Sequence, residues 1–267
     1  FLIMSQAIKM NVLLAKADHA QAVYNKAIVD QVRIFKNNQG MFKGIKKTYE
    51  PREGYTAEDK YIADTKVGST VKEQFDWLTK TINNFWNLQF AEEATNSAGA
   101  PKVELVYDGI SFGEVTALDL MRLKSLLSSR EFKALLENIP VREDNKVWNP
   151  TQNVIYKDRE VYETPLISGV SKTTEKEEVI LKDPNLDPSH LPNNYNAKTT
   201  IRSKVVEIGD YTIQNFSGEW TQEQKAKALR RLSGLYGAVV SALKEVNDME
   251  TLPPNVHVES LTSYIFG

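Results

Sequence analysis

Apolar positions recur at helical spacing in several long stretches of the chain, and ahead of the last of them the spacing gives way to that of strands. Residues 5–35 contain neither Pro nor Gly. Met10, Leu14, Ala17, Tyr24, Ile28 and Phe35 recur there at steps of three, four or their multiples, interrupted by Gln21 and Gln31. This predicts one helix of roughly 45 Å, at 1.5 Å per residue, ended by Asn37-Asn38-Gln39-Gly40. Residues 41–68 are irregular, with short extended pieces at 45–49 and 61–65. A second helix is predicted over 70–93: Thr70 and Glu73 have capping-box spacing, and Val71, Phe75, Leu78, Ile82 and Phe85 follow at steps of four and three. Trp77, Trp86, Leu88 and Phe90 widen its apolar face, and residues 94–101 read as a loop.

Asp108-Gly109 between two alternating runs predicts a hairpin over 102–115. Two short helices follow over 116–128 and 131–138, with caps at Thr116 and Ser128, and Pro140 stops the second. From 146 to 217 β-branched and aromatic residues rise. Strands are expected at 153–156, 160–170, 177–182, 199–206 and 211–216, around a loop over 183–196. The last helix starts at Thr221, with Gln224 completing a box, and runs to about 247 on a stripe of Leu229, Leu232, Tyr236, Val239, Leu243 and Val246. An apolar tail closes the chain at Tyr264-Ile265-Phe266-Gly267. The pattern predicts an α+β fold: a long N-terminal helix, central helices, an antiparallel sheet and a long C-terminal helix. All 267 residues are expected in one domain, helical over 1–140 and strand-rich over 146–217, with the helix at 221–247 packing back on the core.

Charge and composition narrow the function classes. Lys and Arg number 33 against 35 Asp and Glu, without the basic excess of a dedicated nucleic-acid binder. There is no cysteine, so disulfides, thiolate metal sites and cysteine nucleophiles are excluded, and a cytoplasmic setting is expected. No apolar run approaches the ~20 residues of a membrane helix, and no membrane partner is expected. Phe1-Leu2-Ile3 precede Met4 and do not read as a signal peptide.

Candidate chemistry is sparse. Phosphate-binding glycine loops and the G-x-S-x-G elbow are both missing. Asp183, Asp187 and His190 could in principle hold a cation, but their spacing matches no zinc or calcium loop. A polar loop is the simpler account, and neither metal nor cofactor is predicted. His19 and His257 have no second ligand nearby. The carboxylate pairs Glu92/Glu93, Glu177/Glu178 and Glu114/Asp119 suit a solvated surface, and no catalytic residue is assigned. Ser217-Gly218-Glu219-Trp220 leads into a helix start that could face an anion. Lys43, Lys46 and Lys47, interleaved with Phe42, Tyr49 and Tyr55, resemble a stacking surface for single strands. Lys225, Lys227, Arg230 and Arg231 read as the solvated face of the last helix.

That helix also carries Ser233, Gly237 and Ser241 on one ridge and Gly234, Ala238 and Ala242 on another. Small residues four apart let a second backbone approach closely, either within the fold or at a subunit contact. With the terminal Tyr264, Ile265 and Phe266, these positions form the predicted interface.

Lys47-Thr48-Tyr49-x-Pro51, the run Leu120…Leu127 with its Phe132…Pro140 sequel, the strand-rich middle, the final long helix and the closing Tyr264-Ile265-Phe266-Gly267 together resemble a bacterial family of uncharacterised proteins. The resemblance covers nearly the whole chain. It implies a complete protein rather than a piece of a known enzyme, and it carries no catalytic residues. The function expected is a structural or interaction protein that self-associates into a homo-oligomer or larger assembly. The alternatives are a nucleic-acid module using residues 42–55 and an enzyme with an unfamiliar site.

Overall fold

The computed structural model describes residues 9–181, 198–249, 256 and 258–266. Its fold is α+β, and the chain divides into two compact units, one from residues 1–39, 69–144 and 219–267 and one from 40–68 and 145–218. The loop bearing Asp183, Asp187 and His190, as well as His257, lies outside the described residues.

In the first unit α1 (Met10–Asn37) packs on α2 (Val71–Asn96) and α4 (Arg130–Glu137). The buried face of α1 is Leu13, Ala17, Ala20, Tyr24, Ala27, Ile28, Gln31 and Phe35. This corrects the expected stripe at its start, where Leu14 is exposed and Leu13 takes the inward place. Gln31, read as an interruption, lies inside the buried row at the 3–4 spacing of its apolar neighbours. Aromatic contacts tie the layers together: Tyr24 meets Phe85 at 4.8 Å between ring centroids, Phe35 meets Phe75 at 5.6 Å, and Phe75 meets Trp220 at 5.1 Å. The Thr70–Glu73 box starts α2, each side chain binding the other residue's backbone N–H. Trp77, expected on the apolar face, is exposed.

The predicted hairpin forms as β3 (Lys102–Tyr107) and β4 (Ile110–Thr116). Its two-residue turn has φ of 54° at Asp108 and 73° at Gly109, the positive pair that a twist-matched hairpin turn requires. α3 (Ala117–Ser128) carries the expected Thr116–Asp119 box. The next cap is Ser129 rather than Ser128, its hydroxyl accepting from Phe132 N. The hairpin lies on α3 and α5 (Gln222–Asn247) around Val103, Leu105, Leu120, Leu127, Val239, Ala242 and Val246. The tail forms a further short helix, α6 (Val258–Phe266), where the sequence pattern indicated only an apolar segment.

The two glycines of α5 play different parts. A Cβ on Gly234 would stand 2.0 Å from the Tyr107 hydroxyl, whereas one on Gly237 would meet nothing within 4 Å. Gly234→Val is therefore expected to destabilise by about 1–3 kcal/mol through overpacking. Gly237→Ala should stabilise by up to about 1 kcal/mol by removing a helix-interior glycine. Urea midpoints of the two variants against wild type check both signs.

The second unit is built on an antiparallel sheet in the order β2-β1-β8-β6-β5, with β7 also paired to β8. β1 (Lys43–Pro51) and β2 (Ala63–Thr65) are joined through a short 3-10 turn at Asp59–Tyr61. β5 (Asn149–Pro150) and β6 (Tyr162–Glu163) are two residues each, while β7 (Ile167–Ile180) and β8 (Thr199–Ser217) are long. The strand expected at 153–156 is instead a 3-10 turn opened by Asn153, whose side chain accepts from Ile155 N. The expected strand at 160–170 is broken at Thr164-Pro165, because proline has no N–H for the ladder. Of the strand expected at 177–182, residues 177–180 end β7, and the one expected at 199–206 is the first part of β8, so neither is a separate strand. Among the described residues, Val67, Tyr156, Val161 and Phe216 form one buried apolar cluster of this unit.

Candidate assembly surface

The feature that sets the second unit apart is the β7–β8 ribbon. Near its base β8 is paired on both sides, by β1 along Gly209–Ser217 and by β7 from Ile213 to Gly209. Past a bulge between Ser171 and Lys172, where Ile208 is the extra residue, the pairing from Lys172↔Glu207 to Ile180↔Thr199 involves, among the described residues, β7 and β8 alone. Nine paired positions at ~3.3 Å make this part roughly 30 Å long.

The register sorts its side chains onto two faces, since directly opposed residues of an antiparallel pair point the same way. One face carries Glu177 opposite Arg202 and Glu175 opposite Lys204 in the register, together with Thr173 opposite Val206 and Val179 opposite Thr200. The other carries Thr174 opposite Val205, Lys176 opposite Ser203, Glu178 opposite Ile201 and Ile180 opposite Thr199. On this second face Ile180, Ile201 and Val205 are 62%, 68% and 63% exposed. Sequence reasoning missed this face. Ile201 and Val205 are four apart, which in a strand means one side, but the register that brings Ile180 beside them is not readable from the sequence between the two strands.

Residues 52–61 fasten the charged face at the ribbon's base. The Tyr55 hydroxyl donates to Glu175 at 2.7 Å, the Ser171 hydroxyl donates to Glu58, and Tyr61 stacks on Tyr211 at 4.2 Å and on Tyr49 at 5.7 Å. Glycines under these rings permit the approach: a Cβ on Gly209 would lie 2.3 Å from the Tyr49 ring, and one on Gly169 would lie 2.5 Å from that of Tyr211. On the other face Arg52 pairs with Glu207 at 2.6 Å, and Lys172 pairs with the same carboxylate at 3.3 Å. The Arg52 guanidinium, followed by the Lys172 ammonium, holds the Glu207 carboxyl below its usual range, and the Ser171 hydroxyl holds Glu58 below its own. A carboxylate with a lowered folded pKa adds stability above its unfolded value and loses it as pH falls through the folded value. The base of the ribbon should therefore loosen below about pH 4, near the unperturbed glutamate range. Faster amide exchange over 52–61 at pH 3 than extrapolated from pH 7 is the expected result.

The residues predicted for an interface are dispersed. Ala242 is buried, Ala238 packs on the same cluster, and Gly234 lies against Tyr107, so that ridge is used inside the first unit. Ser233, Gly237 and Ser241 are exposed. None of the nine residues of α6 is buried, with Tyr264 at 92%, Ile265 at 59% and Phe266 at 84% exposure. Of the four residues predicted for nucleic-acid contact, the structure places three on one side of a strand. Lys43, Lys47 and Tyr49 share one face of β1 and Lys46 takes the other. The Tyr49 ring is engaged by Tyr61 and Gly209, and Lys47 Nζ donates to the Lys60 carbonyl at 3.2 Å.

A family model matches residues 7–267. The chain belongs to DUF7873, a family of unknown function. Neither a curated protein nor a solved structure matches it. In this DUF7873 member the remaining sequence candidates hold structural positions. Glu92 accepts from Gln89, Glu93 accepts both Nε and Nη2 of Arg122 at 2.9 and 2.7 Å, and Asp119 completes its cap. Glu177 and Glu178 point to opposite faces of the ribbon. The start of α5 is closed by the Thr221–Gln224 box, and Lys225 donates to the carbonyls of Glu137 and Ile139. His19 stands exposed on α1. A cleft of about 440 Å³ in the first unit has Tyr24, Ile28 and Phe85 as its floor and Gln89, Arg122 and Glu131 on its walls. Among the described residues no three His, Cys, Asp or Glu are grouped to hold a metal ion, and no helix is long and apolar enough to cross a membrane.

Proposed function

We propose that this protein is a non-catalytic structural protein that self-associates into a homo-oligomer or larger assembly in the cytoplasm, a setting suggested by its lack of cysteine. The observation that carries the reading is the β7–β8 ribbon. An isolated two-stranded ribbon is marginal in water unless a third layer covers it, and this one keeps Ile180, Ile201 and Val205 exposed on a single face. Single exposed apolar residues are ordinary, but several on one face of an extended arm mark a contact surface. Burying a Val or Ile side chain contributes about 1.5–3 kcal/mol. Three per copy, doubled by a two-fold, give roughly 9–18 kcal/mol against an association cost of about 4–15 kcal/mol. Association that rises with concentration is the expected outcome. The exposed α6 offers a second surface of the same character.

The test is the solution mass across a concentration series, by size exclusion with light scattering. A mass rising above 30.2 kDa supports the reading. A constant 30.2 kDa at every concentration overturns it.

A further inference from the structure

The cleft of about 440 Å³ between α1, α2, α3 and α4 falls in the size range of small-molecule sites. Its floor is apolar and aromatic. Tyr24 and Phe85 are both buried there, with their rings tilted by 31° at 4.8 Å, and Ile28 completes it. Two charged residues line the cleft, Arg122 and Glu131. The Arg122 guanidinium gives Nε and Nη2 to the buried Glu93 carboxylate at 2.9 and 2.7 Å. A ligand anion on Arg122 therefore comes up against Glu93, and like charges repel. Glu131 stands in the first turn of α4, is exposed, and has no hydrogen-bond or ion-pair partner among the described residues. Its charge is felt at the floor: burial raises the Tyr24 hydroxyl above its ordinary pKa, and the Glu131 carboxylate raises it further. The cleft thus keeps one uncompensated negative charge over an aromatic floor.

We propose that this cleft binds a small organic ammonium, a protonated amine carried on an apolar or aromatic body. The body rests on Tyr24, Ile28 and Phe85, and the ammonium is drawn to Glu131. An ammonium beside aromatic rings gains from their quadrupoles as well as from the carboxylate. Gln89, buried on the wall, donates to Glu92 at 3.2 Å and keeps its amide oxygen as a further acceptor for ligand N–H groups. A bare divalent cation is a poorer occupant, because it takes about six or more oxygen ligands and one free carboxylate lines the cleft. An exposed ion pair contributes little in water. The apolar floor therefore supplies most of the affinity, and Glu131 supplies the choice of charge. All the lining residues belong to the first unit, and binding there does not require the chain to associate.

Phenethylammonium and phenylpropionate share an aromatic body and differ in the sign of their charge. Each is titrated into the full chain by calorimetry. Wild type is expected to bind the amine more tightly than the acid. Glu131→Gln should weaken amine binding about fivefold, the weight of a partly exposed ion pair. Glu131→Lys should reverse the order of the two probes. Ser125→Trp, which fills the cleft from an exposed position on α3, should remove binding of both. Both substituted positions are exposed, so the variants keep their fold, which thermal melts by circular dichroism check. A wild-type chain that binds neither probe, or binds both equally, overturns the proposal. So does an unchanged order of the probes in Glu131→Lys, or amine binding that persists undiminished in Ser125→Trp.

Discussion

Phe216→Ala is expected to destabilise the second unit by about 3–5 kcal/mol, enough to separate its unfolding from that of the first. Phe216 is buried in a core whose other buried members are Val67, Tyr156 and Val161. Its ring meets that of Tyr156 at 5.4 Å. Removing it withdraws the ring from that cluster and leaves a cavity that the sheet cannot close, since Phe216 stands opposite Gly44 of β1 and Glu163 of β6 at once. Polar contacts depend on the same packing. The Tyr156 hydroxyl accepts from Val67 N at 3.1 Å, and Arg159 donates to the carbonyls of Val67 and Gly68 at 3.2 and 3.1 Å. Once Tyr156 moves, a buried N–H loses its partner, which adds about 1–3 kcal/mol. Thermal unfolding of the variant should show two steps, the earlier marked by loss of the Tyr49–Tyr61–Tyr211 stack in the near-ultraviolet circular dichroism. A single cooperative transition shifted by less than a degree would refute this account of the core.

Phe35→Ala is expected to cost about 3–5 kcal/mol in the first unit. Phe35 is fully buried in the last turns of α1 and meets Phe75, which in turn packs on Trp220 ahead of α5. The chain Phe35–Phe75–Trp220 joins three segments far apart in sequence, so the loss is felt by all of them. Leu14→Ala, on an exposed position of the same helix, should change stability by less than about 0.5 kcal/mol. Urea denaturation of both variants, followed at 222 nm, distinguishes the buried face of α1 from its exposed one.

Much of the helical part was legible because local chemistry and tertiary packing agree there. The boxes at Thr70, Thr116 and Thr221 and the Asp108-Gly109 turn are short-range signals, and each formed as written in the sequence. The misreadings have identifiable causes. Leu13 and Leu14 are both apolar and adjacent, so the start of the α1 stripe was ambiguous by one position, and Gln31 was judged by polarity although its spacing placed it inside. The expected strands at 199–206 and 211–216 leave out residues 207–210, through which β8 runs unbroken. In the fold Gly209 is there because the Tyr49 ring covers it. β7 was divided because its charged middle alternates too weakly to read as a half-buried strand, which is the same property that makes it an arm. The candidate surface was the least legible element. Its apolar residues come from two strands that are far apart in sequence, and only the register places Ile180 with Ile201.

The central claim is that this chain associates with itself through exposed apolar surface. Light scattering on the wild-type protein eluted at a series of concentrations up to about 100 μM tests it most directly, because association by mass action must follow concentration. The account predicts a mass that climbs from 30.2 kDa toward twice that value or beyond. An unchanging 30.2 kDa over the whole series would contradict it.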